Sequence, residues 1–206
     1  LLTPSKSAAE SNLQELQDYV DSIDGPNPIM PWDFSYYREK LKQQKFNFSD
    51  EDLRPYFSLE KVVAGVFEHA HKLYDLSFKK NQDYPLYHPD VTAYDVYDEK
   101  SHEFIGVFYT DFFPRSSKAN GAWMTAYHEQ GLFKGKVMRP HISIVCNFSK
   151  PTKDKPSLLT FDEVLTLFHE FGHALHGLLS NCHYRSLSGT NVYLDFVELP
   201  SQILNN

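Results

Sequence analysis

Residues 160–198 read TFDEVLTLFHEFGHALHGLLSNCHYRSLSGTNVYLDFVE, with His169-Glu170-Phe171-Gly172-His173 at the centre. On an α-helix, positions i and i+4 lie ~40° apart around the axis and ~6 Å apart along it. His169 and His173 can therefore offer two imidazole nitrogens to one metal ion. Glu170 projects ~100° away from His169, within reach of a metal-bound water but out of line with the two ligands. This is the geometric content of H-E-x-x-H in zinc hydrolases.

The flanking residues specify the helix. Thr160 and Glu163 form a T-x-x-E capping box ahead of the apolar run. Asp162, Thr166, His169, His173, His176 and Ser180 fall on one stripe, and Val164, Leu167, Phe168, Phe171, Leu175 and Leu178 fall opposite. A solvated helix face usually carries Lys and Glu, whereas this stripe carries three histidines and small hydroxyls. Gly172 would cost ~1 kcal/mol in a free helix, so the sequence calls for a backbone packed closely against it.

A zinc site that keeps one position open for water needs a third protein ligand. Glu198, 25 residues beyond His173, is the best candidate, in Asp195-Phe196-Val197-Glu198-Leu199-Pro200-Ser201-Gln202. Asp195 and Gln202 sit at i−3 and i+4 from it, where on a continuous helix either could orient a ligating histidine. Pro200 must kink such a helix or occupy the first turn of a new one. The longer H-E-x-x-H-x-x-G-x-x-H pattern does not apply, because His176 stands at its glycine and Leu179 at its third histidine. The chemistry implied is metal-assisted amide hydrolysis, with Glu170 as general base and then general acid.

LFHEFGHALHGLLS followed by YRSLSGTNVYLDFVELPSQ resembles the zinc-site core of the thimet oligopeptidase family, most closely its dipeptidyl carboxypeptidase branch. PWDFSYYREK, RPYFSLEKVVAGVFEHAHKLYDLSF, YPLYHPDVTAYDVYD, FYTDFFPRSSKANGAWM and RPHISIVCNFSKP extend the likeness over nearly the whole chain. The resemblance implies a zincin-type metallopeptidase. One Zn²⁺ would be held by His169, His173 and Glu198, with Glu170 as the catalytic carboxylate. The substrate would be an oligopeptide losing C-terminal dipeptides. Within the same family the alternative is an endo-acting oligopeptidase, and outside it a folded, non-catalytic binding module. The resemblance also implies several hundred further residues, including a helical lid and the His and Tyr donors for the oxyanion. The chain is thus expected to be an internal piece, one fragment of a catalytic domain, inactive alone and prone to self-association.

Composition supports a globular chain: 206 residues, 41% hydrophobic and 15% aromatic. A net charge of −7 without any Lys/Arg block speaks against nucleic-acid and anionic-membrane partners. No long uncharged apolar run suggests a membrane span. The expected location is the cytoplasm, with a periplasmic parent left open. Cys146 and Cys182 form no CxxC pair and read as a buried strand thiol and a thiol just past a helix.

The periodicity predicts helices over residues 7–23, 32–45 (capped by Asp33) and 58–76, with a turn at Asn47-Phe48-Ser49-Asp50. His69 and His71, at i and i+2, point ~160° apart and cannot share an ion. Strands are predicted at Ala93–Tyr97 and Phe104–Asp111, forming a hairpin, in GAWMTAYHE after Asn120-Gly121, and at His141–Phe148. In the last, apolar even positions alternate with mostly polar odd ones, predicting one wet face. The strand is a candidate free edge for strand addition by substrate or equally an interior strand, since alternation does not identify an edge. The fold class is therefore α+β, mainly α. The expected division is a helical part (1–83), a small, mainly antiparallel sheet (84–150) and metal-binding helices (157–206).

Overall fold

The computed structural model describes residues 2–47 and 49–205, with the Asp50 side chain also undescribed. By contacts it divides into two compact units, Leu1–Asp52 and Leu53–Asn206. The first contains helices α1 (Leu2–Asp21) and α2 (Phe34–Phe46). In α1, Leu16 and Val20 are buried, and Lys45 near the end of α2 pairs with Glu15. Asp33 occupies the N-cap of α2, but its carboxylate does not cap the helix. It accepts from the Met30 amide instead, at 3.2 Å. Asn47 closes α2 in the left-handed region, φ 54°. Phe48, the centre of the expected turn, lies outside the described residues.

The short helix α3 (Asp50–Leu53) ends at the first residue of the second unit. That unit places two helices, α4 (Leu59–Tyr74) and α5 (Phe161–Leu178), with a five-stranded mixed sheet. The strands are β1 (Leu76–Asn81), β2 (Thr92–Asp98), β3 (Phe104–Asp111), β4 (Trp123–His128) and β7 (His141–Val145). Their order is β1-β2-β3-β7-β4, antiparallel except for the parallel pair β3–β7. A small hairpin, β5 (Gly131–Phe133) with β6 (Lys136–Met138), lies between β4 and β7 in sequence.

The core fills the space between one sheet face and the two helices. Phe108, Ile142 and Ile144 from the sheet meet Leu167, Phe171 and Leu178 of α5 and Val62 and Val66 of α4. Phe67 of α4 stacks on Phe78 of β1 at 4.2 Å, and Phe108 meets Phe171 edge-on at 5.6 Å. Each fully buried side chain of this size contributes ~1.5–3 kcal/mol. The two helices also begin together. Leu59 N donates to Ser157 O (2.9 Å) and Leu159 N to Phe57 O (2.8 Å), tying the residues ahead of α4 to those ahead of α5.

Three strand expectations need correction. β1 lies within the part assigned to helices (1–83), at and beyond the expected end of α4, because Asp75 ends α4 in the left-handed region (φ 55°) and the chain continues as a strand paired with β2. The β5–β6 hairpin was not anticipated; its tight turn uses Lys134 and Gly135, both at positive φ. β7 is interior, paired on both sides, and its odd-numbered face is not wet: Ser143 is fully buried and His141 half-buried. Tyr109 on the neighbouring strand bonds His141 Nδ1 at 3.0 Å, and Tyr84 packs edge-on against that ring. The free sheet edge beside β7 is β4.

His69 and His71 have local partners, the Gly65 carbonyl (2.9 Å) and Glu99 (2.7 Å) respectively. Cys146 is buried, Cys182 partly so, and both are free thiols. Among the described residues no helix is long and apolar enough to cross a membrane.

Candidate metal centre

The site is built on α5, and its capping box forms as the sequence requires. Thr160 N donates to Glu163 Oε2 (2.8 Å) and Glu163 N donates to Thr160 Oγ1 (3.1 Å). This fixes the start of the helix and therefore the rotation of every residue along it. Val164, Leu167, Phe171, Leu175 and Leu178 go into the core. His169 and His173 emerge together on the opposite side, their rings 5.0 Å apart at 85°.

Glu198 reaches this pair from outside the helix. The chain after Tyr193 forms two short helices, α6 (Leu194–Val197) and α7 (Leu199–Leu204), with Glu198 at the junction. Pro200 sits in the first turn of α7, so the sequence ends one helix and begins another. The break separates Glu198 from Asp195, which is exposed, while Gln202 stays one turn beyond Glu198 on α7, its main-chain amide donating to the Glu198 carbonyl at 2.9 Å. A residue that the sequence reading passed over holds the carboxylate: Ser201 Oγ lies 2.8 Å from Glu198 Oε2 and 2.8 Å from the Glu198 main-chain oxygen. A hydroxyl three residues after an acidic N-cap was the available signal.

Gly172 explains how α7 gets so close. A Cβ there would lie 2.5 Å from Ser201 Cα and 2.6 Å from Pro200 O. The backbone expected against Gly172 is thus that of Pro200–Ser201. The connecting loop is pinned as well. Gly189, at φ 57°, lies over Gly177, and its amide donates to Ser180 Oγ (3.0 Å). The buried Gln130 amide exchanges hydrogen bonds with both main-chain groups of Cys182, at 2.6 and 3.1 Å.

The outcome is that one oxygen, Glu198 Oε2, lies 3.2 Å from His169 Nε2 and 3.2 Å from His173 Nε2. The three side chains offer ligand atoms all within 4.8 Å of one another. Burial lowers the His173 pKa, favouring the neutral imidazole that a metal requires. The hydrogen bond from Ser201 lowers the Glu198 pKa, and the two histidines lower it further, keeping it a carboxylate. Two neutral imidazoles and one carboxylate form a donor set that fits Zn²⁺.

Glu170 lies beside this group and is 7% exposed. Burial, and then the charge of Glu198, raise its carboxyl to about 7. It lines an open cleft of about 400 Å³ with Ala122, Trp123 and Met124 at the start of β4, His169, His173, Thr190, Val197 and Glu198. The β4 contribution was not anticipated. His176 continues the histidine stripe but leaves the cleft: its ring stands 6.1 Å from Phe196, and it lines a separate cavity of about 420 Å³ behind α5.

With this geometry established, comparison with known proteins adds independent findings. The model of peptidase family M3 matches residues 1–206. The chain is 42% identical to the dipeptidyl carboxypeptidase of Escherichia coli (strain K12) over 206 residues, covering 98% of this chain and 30% of that protein. It is 40% identical to oligopeptidase A of the same organism over 204 residues, with the same coverage. A thimet-like oligopeptidase of Dictyostelium discoideum is 35% identical over 213 residues, 98% of this chain and 31% of the relative. The chain thus spans about 30% of the length of these relatives.

Proposed function

The chain belongs to peptidase family M3, and from that premise we propose that it carries the zinc-binding and proton-transfer core of a peptidase that releases C-terminal dipeptides from oligopeptides. The observation that carries this reading is the convergence of His169 Nε2, His173 Nε2 and Glu198 Oε2 beside a buried Glu170 in an open cleft. A bare His–Glu ion pair would account for the first three groups. It would not account for a second carboxylate buried against them.

His169, His173 and Glu198 would hold the zinc, which when bound supplies Lewis-acid polarisation of the scissile carbonyl and a more acidic water. Glu170 follows His169 directly on the helix and takes a proton from the attacking water. It then returns that proton to the leaving amine, which requires a carboxyl that exchanges protons near neutral pH. Its burial keeps bulk water from competing for the transfer. β4 is one of the two edge strands of the sheet and the one whose first residues line the cleft, so an extended peptide can pair with its outer main-chain groups. Substrate addition is thereby assigned to β4 in place of β7.

An endo-acting oligopeptidase is the second reading, favoured by the near-equal identity to the relatives named dipeptidyl carboxypeptidase and oligopeptidase A. Both are tested in the complete protein. Glu170→Gln is expected to lower hydrolysis ~10²–10⁴-fold while metal analysis still finds about one zinc per chain. Turnover within about threefold of the unchanged protein would refute Glu170 as the base. Products from peptides with free and amidated C-termini then separate the two activities: dipeptide release fails on the blocked end, whereas internal cleavage persists. Stoichiometric zinc without any turnover in the unchanged protein would indicate a binding module instead.

A further inference from the structure

The candidate ligands are not equally supported by their surroundings. His169 and His173 are fixed by their rotation on a well-packed helix. Glu198 stands at a break between two short helices, and its side chain is 47% exposed. A glutamate that exposed has several rotamers open to it and loses that freedom on binding a metal. Yet its Oε2 lies at equal distances, 3.2 Å, from the two histidine nitrogens. The contact on its protein side is the Ser201 hydroxyl, 2.8 Å from that same oxygen, and Ser201 is completely buried. Its backbone is held against Gly172 of the histidine helix, where no Cβ would fit. The serine is therefore referenced to the two histidines through main chain, and the glutamate is referenced to the serine.

We propose that Ser201 is a positioning residue for the metal, its hydroxyl donating to Glu198 Oε2 and turning that oxygen toward His169 and His173. This rests on the reading of the three residues as a zinc site. The hydroxyl has one proton and two acceptors at 2.8 Å, Oε2 and the Glu198 main-chain oxygen. The second bond would merely close a helical turn. A structural role and a positioning role therefore predict different losses: helix stability in the first case, metal affinity in the second.

The test uses the complete protein as wild type, Ser201→Ala, Glu198→Ala and the double variant. Each is stripped of metal and its melting temperature recorded, after which Zn²⁺ affinity is measured by chelator competition. Co²⁺ loading adds a visible spectrum that reports the ligand field. Ser201→Ala is expected to leave the metal-free melting temperature within about 2 °C of wild type. Its zinc affinity should fall ~10–100-fold, the usual effect of removing a group that orients a ligand, and the Co²⁺ spectrum should change. In the Glu198→Ala background the serine substitution should cost no further affinity, because its effect runs through the carboxylate. An affinity for Ser201→Ala within about twofold of wild type would overturn the proposal, measured against that ~10–100-fold expectation. So would an equal loss with and without Glu198, or a loss matched by lower metal-free stability. Failure of the wild type itself to bind zinc would instead remove the metal reading on which the proposal stands.

Discussion

Two clusters of charged side chains in the second unit, around Asp111 and around Glu198, are built to opposite rules. Around Asp111, at the end of β3, every demand is met. Arg115 donates twice to its carboxylate (2.9 and 2.8 Å), Lys118 once (3.0 Å) and the Tyr87 hydroxyl once (2.9 Å). Lys118 also donates to the main-chain oxygens of Asp111, Phe113 and Cys146. Around Glu198, two imidazole Nε2 atoms converge on a single carboxylate oxygen that also accepts from Ser201, and Glu170 is buried beside that carboxylate. The Asp111 and Lys118 side chains are 1% and 2% exposed, whereas that of Glu198 is 47% exposed. The clusters differ in burial and also in completeness. A structural ion network closes upon itself, whereas a binding site keeps an unmet preference for something absent from the chain.

The closed cluster should break at the greatest cost. Lys118→Met removes one of two cations from a buried carboxylate and the Lys118 donor from the main-chain oxygens of Phe113 and Cys146, and the expected loss is ~3 kcal/mol in denaturant unfolding. Zinc affinity should stay within about twofold of wild type, since a ligand-orienting residue would instead move it ~10–100-fold. A tenfold fall in affinity would show that the two clusters are not separable.

Acid should dissolve the same cluster next. Burial alone would raise the Asp111 pKa, but the bonds from Arg115, Lys118 and Tyr87 outweigh it and hold the group at about 2. A folded pKa below the unfolded ~3.9 stabilises the fold at every pH above the latter. That contribution, ~2 kcal/mol, is lost as the pH falls from ~4 to ~2. Unfolding free energies across that window should show the loss in wild type and a markedly smaller one in Asp111→Asn.

The smallest effect on stability should come from the open cluster. Gly172→Ala forces Pro200–Ser201 away from α5, at ~1–3 kcal/mol for overpacking, offset by ~1 kcal/mol of improved helix propensity. Because Glu198 moves with that segment, zinc affinity should fall at least tenfold, as it does when a ligand loses its orientation. A variant that loses stability but binds zinc normally would show that the α5–α7 contact does not set the ligand distance.

What could be read in the sequence was mostly what neighbours in the chain decide for each other. The capping box, the histidine pair, the apolar stripe, the hairpin Thr92–Asp98 with Phe104–Asp111 and the demand for a backbone at Gly172 all depend on residues a few positions apart. The misses depend on distant partners. His141–Val145 alternates like a half-exposed strand, yet Tyr109 and Tyr84 cover its polar face from remote positions. Which strand is the edge depends on a parallel β3–β7 pairing across the 29 residues between them. Ser201 was overlooked because attention went to the charged and amide side chains at i−3 and i+4 from Glu198, whereas the hydroxyl at i+3 is the group that reaches its carboxylate.

The pairing of Leu59 with Ser157 and of Leu159 with Phe57 has a consequence for how the molecule assembles. The entire sheet lies within a loop whose two ends these bonds join, about a hundred residues apart in sequence. Closing that loop early would meet a large entropic cost with few compensating contacts. The hairpin β1-β2-β3, made of sequential antiparallel neighbours, can form first. The parallel pairing of β7 with β3 joins residues further apart, and the bonds ahead of α4 and α5 close a loop of about a hundred residues. Such non-local pairing slows folding relative to a fold of local contacts. The cleft depends on both, being lined by β4, which pairs with β7, and by α5.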